Sequence, residues 1–261
     1  MEFANVSERM ALSPELAVST VIFALRDADV SDAGRKELWL PLVRRTREPF
    51  KGRWALPGGP LGGTQALQDA AAANLRSTTG LVPRYLEQLY AFGGLDRSPS
   101  RRVVSIVYWA LVRESDAGAH PARPEAGTRP VTGADGEPGP TSVLREDPNV
   151  AWFAAGDEAV LDGLAFDHAD IVRYALWRLR NKVAYGSIAH RLLGERFTLA
   201  QVREVYEAVL GRSLDPANFR RQLLASPGIV ETGEFLQGGK HRPPRLYRYV
   251  EPEPAGIPDP G

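Results

Sequence analysis

Cysteine is absent from the 261 residues, which excludes disulfides and thiolate-held metal. Histidine is scarce, and His120, His168, His190 and His241 show no metal-ligand spacing. No run approaches the ~18 apolar residues of a membrane span, and the opening MEFANVSERMALSPEL has no apolar signal core. These absences lead to the expectation of a cytoplasmic protein without a membrane partner. Net charge is also missing, with 32 basic against 32 acidic residues. What remains is ordinary for a globular protein, with 43% apolar and 25% charged residues in a chain long enough for two domains.

Overall neutrality conceals an asymmetry. Between Ile171 and Val250 fourteen bases face six acids, a net charge of +8, so the rest of the chain carries −8. A basic C-terminal third on a neutral protein suggests a polyanionic partner for that part alone.

Along the chain, Leu16 to Leu25 is apolar and β-branched enough for a buried strand, and Glu37 to Thr46 reads as its partner. Arg101 to Val112, RRVVSIVYWALV, is the strongest strand pattern. The Gly/Pro/Ala-rich stretch Glu114 to Asp147 has too few apolar residues to order itself and is expected to be a mobile loop. VAWFAAGDEAV resumes structure. A helix follows from about His168 to Arg180, with Ile171, Val172, Ala175, Leu176 and Leu179 on one face. Three helical patterns come next, near Tyr185 to Leu193, Thr198 to Leu210 and Pro216 to Ala225. A hairpin pairs Ile229–Leu236 with Leu246–Val250.

One absence is local. LPGGPLGGTQALQDAAAANLRSTTGLV, Leu56 to Val82, has the Gly-rich opening, the helix and the closing Thr79-Gly80 of a Nudix box, but no glutamate. Counted from Gly59, the positions that are glutamate or Arg-Glu in the working box hold Gln65, Ala73-Asn74 and Ser77-Thr78. Positions 74, 77 and 78 share one helix face, where gathered carboxylates would hold a hard cation against substrate phosphates. Asp69, the one acid of the helix, lies about 140° away from that face at ~100° per residue. The hydrolytic metal site is therefore expected to be missing. Pro57, Gly58 and Gly59 still offer a turn whose N–H groups suit a phosphate. FKGRWALPGG and EQLYAFGGLDR resemble Nudix segments that recognise ADP-ribose-like ligands, and Arg44, Arg45, Arg53 and Arg97 suit a diphosphate because guanidinium forks match phosphate oxygens.

In SLDPANFRRQLLASPG, Asp215 is a good N-cap and Pro216 sits at N1, where its missing N–H costs nothing. Phe219 and Leu223 should anchor this helix. Asn218, Arg220, Arg221 and Gln222 then project outward, as recognition-helix residues do in a major groove. The preceding helix starts at Thr198 and buries Leu199, Val202, Val205, Tyr206 and Val209. The hairpin tip Lys240, His241 and Arg242 would form a wing against phosphates or a minor groove.

Taken together, Phe166 to Leu224, with its LAFDH and FTL…VYEA…LD…NFRR segments, resembles the Nudix-related regulators of NAD metabolism called NrtR. The resemblance covers about Leu12 to Val250. It implies a mixed α/β and α+β protein: a Nudix-like α/β/α sandwich over 12–182, interrupted at 114–147, followed by a winged helix-turn-helix over 183–250. It further implies a homodimeric repressor of NAD biosynthesis or salvage genes. Such a repressor binds a palindromic double-stranded operator and senses ADP-ribose or a related nucleotide, with no cofactor required. The rival enzyme reading is a Nudix hydrolase of a nucleoside diphosphate derivative that recruits acids outside the box, such as Glu48, Asp157 or Glu158. A nucleotide-binding adaptor without a DNA role is the third.

Overall fold

Two long apolar strands, buried on both faces over most of their length, centre the architecture of the computed structural model, which describes residues 14–28, 35–80, 82–83, 85–112, 148–185, 188–237 and 243–251. β1 (Glu15–Asp27) and β6 (Val103–Val112) lie parallel at the centre, in register from Glu15↔Val103 to Ala24↔Val112. β2 (Lys36–Arg44) and the short β3 (Trp54–Ala55) extend one side, and β5 (Tyr85–Phe92) forms the other edge. β4 (Gly58–Pro60) pairs with β1, and β7 (Val150–Ala154) with β2.

Side chains alternate faces along a strand, so one sheet supports two layers. Val21, Phe23 and Leu25 with Val107, Trp109 and Leu111 pack against Ile171, Val172, Ala175, Leu176 and Leu179 of one helix, α3 (His168–Tyr185). Ile22, Ala24, Ala110 and Val112 face Leu75, while Val18 and Tyr108 face Ala70 and Ala71, all on α1 (Leu67–Thr79). The sheet between α1 and α3 is the α/β/α sandwich expected. The small α2 (Glu158–Asp162) sits beside α3. β5 was not foreseen as a strand. Only Leu89 of its eight residues is buried at this sheet edge, so its alternation is weak.

α3 runs on to Tyr185, five residues past the predicted end, so the boundary drawn at 182/183 falls inside it. The pattern at Tyr185 to Leu193 becomes the end of α3 and a short 3-10 turn, Ala189–Leu192. α4 (Leu199–Leu210) and α5 (Pro216–Ala225) follow, then the hairpin β8 (Ile229–Phe235) and β9 (Arg245–Tyr249). Phe197 and Tyr247 exchange backbone hydrogen bonds of 3.0 and 2.8 Å, a single bridge that ties the chain before α4 to the two-stranded wing. Phe197, Val205, Val209, Phe219, Leu223 and Tyr247 belong to the same apolar cluster as Trp109 and Leu179. The core is thus continuous between sensor and reader. The 114–147 stretch and the tip residues Lys240, His241 and Arg242 lie outside the described residues.

Candidate effector cleft and nucleic-acid interface

The degenerate box folds as the spacing requires, and one residue of its expected metal face ties the helix to the sheet. Asn74 Nδ2 donates to the Val18 carbonyl at 3.2 Å, tying α1 to β1, and Ser77 Oγ donates to the Asn74 carbonyl at 3.1 Å. Asp69 is exposed in the first turn, and Gly80 ends the helix at φ 70°, a left-handed cap. Among the described residues no group of three or more His, Asp or Glu side chains is placed to hold a cation. This donor set does not fit the metal that the box pattern implies, because neutral amide and hydroxyl oxygens replace carboxylates.

The Gly-rich run predicted as a turn is instead the short strand β4, with Gly59 opposite Val18. Gly58 has no room for a side chain, since a Cβ there would lie 2.6 Å from the Val18 carbonyl oxygen and 2.8 Å from Ser19 Oγ. β4 borders a cleft of about 580 Å³ that also takes Arg44, Arg45, Gly59 and Arg97 into its wall. No residue of α1 lines it. Of the six predicted effector residues, Arg44, Gly58, Gly59 and Arg97 come together here. Pro57 is buried and its carbonyl accepts the Thr20 N–H at 2.9 Å, so it supports β4 from behind. Arg53 is exposed beside Phe50, its guanidinium 5.7 Å from the ring centroid, and does not line the cleft.

Two segments close one end of the cleft. Phe50 and Phe166 both adopt positive φ, 66° and 58°, uncommon for aromatic residues, and their rings meet edge to face at 4.9 Å. Arg45 lies over the Phe166 ring at 4.5 Å and donates through Nε to the Pro49 carbonyl at 2.7 Å. Next to Phe166, Asp167 accepts two hydrogen bonds from Arg97, at 3.0 and 2.9 Å, and the Arg97 side chain is only 7% exposed. A bidentate pair fixes the guanidinium plane as well as its position.

His168, which opens α3, was seen in the sequence only as one of four scattered histidines. It is buried, and its Nδ1 accepts the Leu56 N–H at 2.9 Å. That bond requires a neutral ring protonated at Nε2. Burial pushes its pKa from 6.5 down to about 4; the Asp167 charge opposes the shift, and Arg97 and Arg45 add to it. The LAFDH segment thus holds the strand that leads into β4. That role was legible only as part of a family-like motif, because Leu56 and His168 are 112 positions apart.

The acids proposed for the enzyme reading are placed otherwise. Asp157 caps α2 through Oδ1, accepting the Ala159 and Val160 N–H groups, and Glu158 pairs with Arg173. Neither borders the cleft, whereas Glu48 does.

In the reader, Thr198 forms a full capping box with Gln201, and Leu199, Val202, Val205 and Val209 are buried as predicted. Tyr206 is half-buried, edge-on to Phe219 with centroids 5.0 Å apart. Asp215 Oδ1 accepts the Asn218 N–H at 2.8 Å, with Pro216 at N1. Phe219 and Leu223 are buried, each contributing about 1.5–3 kcal/mol to anchoring α5. Asn218, Arg220, Arg221 and Gln222 are all exposed, and Arg221 donates to Asn218 Oδ1 at 2.8 Å. α5 therefore presents a polar, cationic edge to solvent from a fixed base.

Comparison with known proteins places these features in context. Residues 189–249 match the family model of the NrtR DNA-binding winged helix domain. The chain is 31% identical over 240 residues to the ADPR responsive transcriptional repressor NtrR of Acinetobacter baylyi, covering 91% of this chain and 83% of that one. It is also 31% identical over 100 residues to an ADP-ribose pyrophosphatase of Methanocaldococcus jannaschii, covering 38% of this chain and 52% of that one. The crystal structure of Shewanella oneidensis NrtR complexed with a 27mer DNA is similar at a TM-score of 0.67 and 27% identity, over 90% of this chain and 93% of that one.

Proposed function

The chain belongs to the NrtR family, and from that premise we propose that it is a sequence-specific repressor whose Nudix domain senses ADP-ribose or a related nucleotide without hydrolysing it. Its targets are genes of NAD biosynthesis or salvage. The observation that carries the reading is α5, whose exposed Asn218, Arg220, Arg221 and Gln222 stand on buried Phe219 and Leu223. Asn and Gln suit adenine edges and Arg suits guanine, so this edge has the chemistry of major-groove readout. A dimer presents two copies of α5 to a palindromic operator, with half-sites about one helical turn apart or a multiple of it. Lys240, His241 and Arg242, which lie outside the described residues, are assigned to phosphates or a minor groove.

The effector occupies the cleft bordered by β4, where Arg44 and Arg97 bind its diphosphate. Asn74, Ser77 and Thr78 leave no carboxylate face on α1, so the ligand is held without a metal-activated water. The enzyme reading is disfavoured because, of its three acids, Glu48 alone borders the cleft, while Asp157 caps α2 and Glu158 pairs with Arg173 elsewhere.

α3 couples the two parts. Asp167, just before it, holds Arg97 at the cleft, while Arg180 in its second half donates through Nε to the Val209 carbonyl of α4 at 3.1 Å. An effector that draws Arg97 toward its phosphates shifts the start of α3 and, with it, the seat of α4. Reciprocity then requires that the effector weaken operator binding if it prefers the free arrangement. The test is a gel shift on the DNA upstream of the protein's own coding sequence, with and without ADP-ribose, beside an assay for AMP release from ADP-ribose and Mg²⁺. A shift reversed by ADP-ribose with no AMP formed supports the reading. No shift at low salt removes the repressor, and rapid AMP release restores the enzyme.

A further inference from the structure

A second cavity, of about 760 Å³, lies between sensor and reader and shares no lining residue with the effector cleft. Its sensor wall is the start of β2, the turn after β7 and the middle of α3; its reader wall is the last turns of α4 and the segment before α5. The volume falls within the ~300–1,000 Å³ of small-molecule sites, which favour domain junctions. Leu38, Ala155, Leu176 and Val209 give it a buried apolar floor.

The charges on its wall are not equally committed. Glu37 is paired with Arg35, and Lys36 with Asp27 at 2.8 Å. Asp157 is spent on the α2 cap, Glu207 accepts the Leu214 N–H at 2.8 Å, and Glu204 is likewise not free. Arg180 uses only Nε, on the Val209 carbonyl, and Arg212 makes no hydrogen bond or ion pair among the described residues. Both terminal nitrogens of Arg180 and the whole Arg212 guanidinium are therefore available donors, while each acid of the wall already has a partner.

We infer that this junction cavity is a second ligand site, taking a small molecule with an anionic head, carboxylate or phosphate monoester, on a compact apolar body. The head pairs with Arg180 and Arg212 and the body rests on the Leu38–Leu176–Val209 floor. Because its walls come from both parts of the chain, the ligand fits one sensor–reader spacing and biases the equilibrium toward it. The regulatory consequence, a change in operator affinity independent of the effector cleft, rests on the DNA-binding function proposed above.

Calorimetric titration of the full chain with benzoate, phenyl phosphate and inorganic phosphate tests the site. Binding of benzoate or phenyl phosphate more tightly than inorganic phosphate is expected, and the two arms distinguish a carboxylate from a phosphate head. Arg212→Gln should weaken that binding about tenfold or more, the usual loss for a charged hydrogen bond, and leave ADP-ribose affinity unchanged. Arg180→Gln should act in the same direction; Arg212→Gln suffices if the Arg180 variant does not fold. Absence of binding by all three probes, or binding indifferent to Arg212→Gln, overturns the site. A gel shift with the bound probe then reads its effect on the operator. Binding that leaves operator affinity unchanged overturns the regulatory role alone, and failure to bind DNA under any condition falls instead on the repressor reading.

Discussion

Acid should destabilise this protein through one buried ring. His168 Nδ1 accepts the Leu56 N–H at 2.9 Å, so protonating it sets two donors against each other inside the core. Burial is the main reason its pKa falls from 6.5 to about 4, with the Asp167 charge opposing the fall and Arg97 and Arg45 reinforcing it. The folded value is depressed, so the unfolded chain takes up the proton first. The stability contributed by the neutral ring is complete above about pH 6.5, declines as pH falls, and is exhausted near the folded value of about 4. Between about pH 7.5 and about pH 5 these two values correspond to a loss of roughly 2 kcal/mol. Other groups titrate over the same range, so a variant is needed to isolate this one. His168→Asn supplies an oxygen acceptor to Leu56 but no titrating ring. Urea denaturation of both proteins at the two pH values, followed by tryptophan fluorescence, should show the parent losing roughly 2 kcal/mol more than the variant. Equal losses would refute the assignment of His168 as a buried neutral acceptor.

Three further outcomes follow from local geometry. Gly58→Ala should lower the melting temperature, because its Cβ would collide with the Val18 carbonyl and Ser19, whereas Gly59→Ala, with nothing within 4 Å, should leave the melting temperature unchanged; scanning calorimetry of the pair checks the contrast. Thr198→Ala removes one half of the α4 capping box and should cost about 1 kcal/mol in chemical denaturation. Arg221→Ala should weaken operator binding by about 1–3 kcal/mol and relax base preference at one position, read by gel shifts on single-base operator variants; unchanged binding would refute α5 as the recognition helix.

The parts legible in the sequence were those decided by neighbours in the chain. Continuous apolar, β-branched runs marked β1 and β6, the Asp215-Pro216 pair and Thr198 marked two helix starts, and the spacing of box positions showed that α1 lacks a carboxylate face. β5 escaped because an edge strand buries little, and its half-buried residues leave a faint period. The end of α3 escaped because no proline or glycine interrupts Arg180 to Tyr185 and so nothing local marks where the helix stops.

The sequence alone therefore determined the central strands, the starts of α4 and α5, the loss of the metal-binding pattern and the cationic edge of α5, since each depends on residues a few positions apart. Only the tertiary structure decided which charges remain available. Arg97 lies 70 positions from the aspartate that fixes it, and His168 lies 112 from the amide it accepts. It also joined the two parts through one apolar cluster and left Arg180 and Arg212 facing a cavity between them. The reason is topological. The parallel pairing of β1 with β6 and the return of β7 to β2 bring remote segments to one face of the sheet, and no local period in the chain encodes that return.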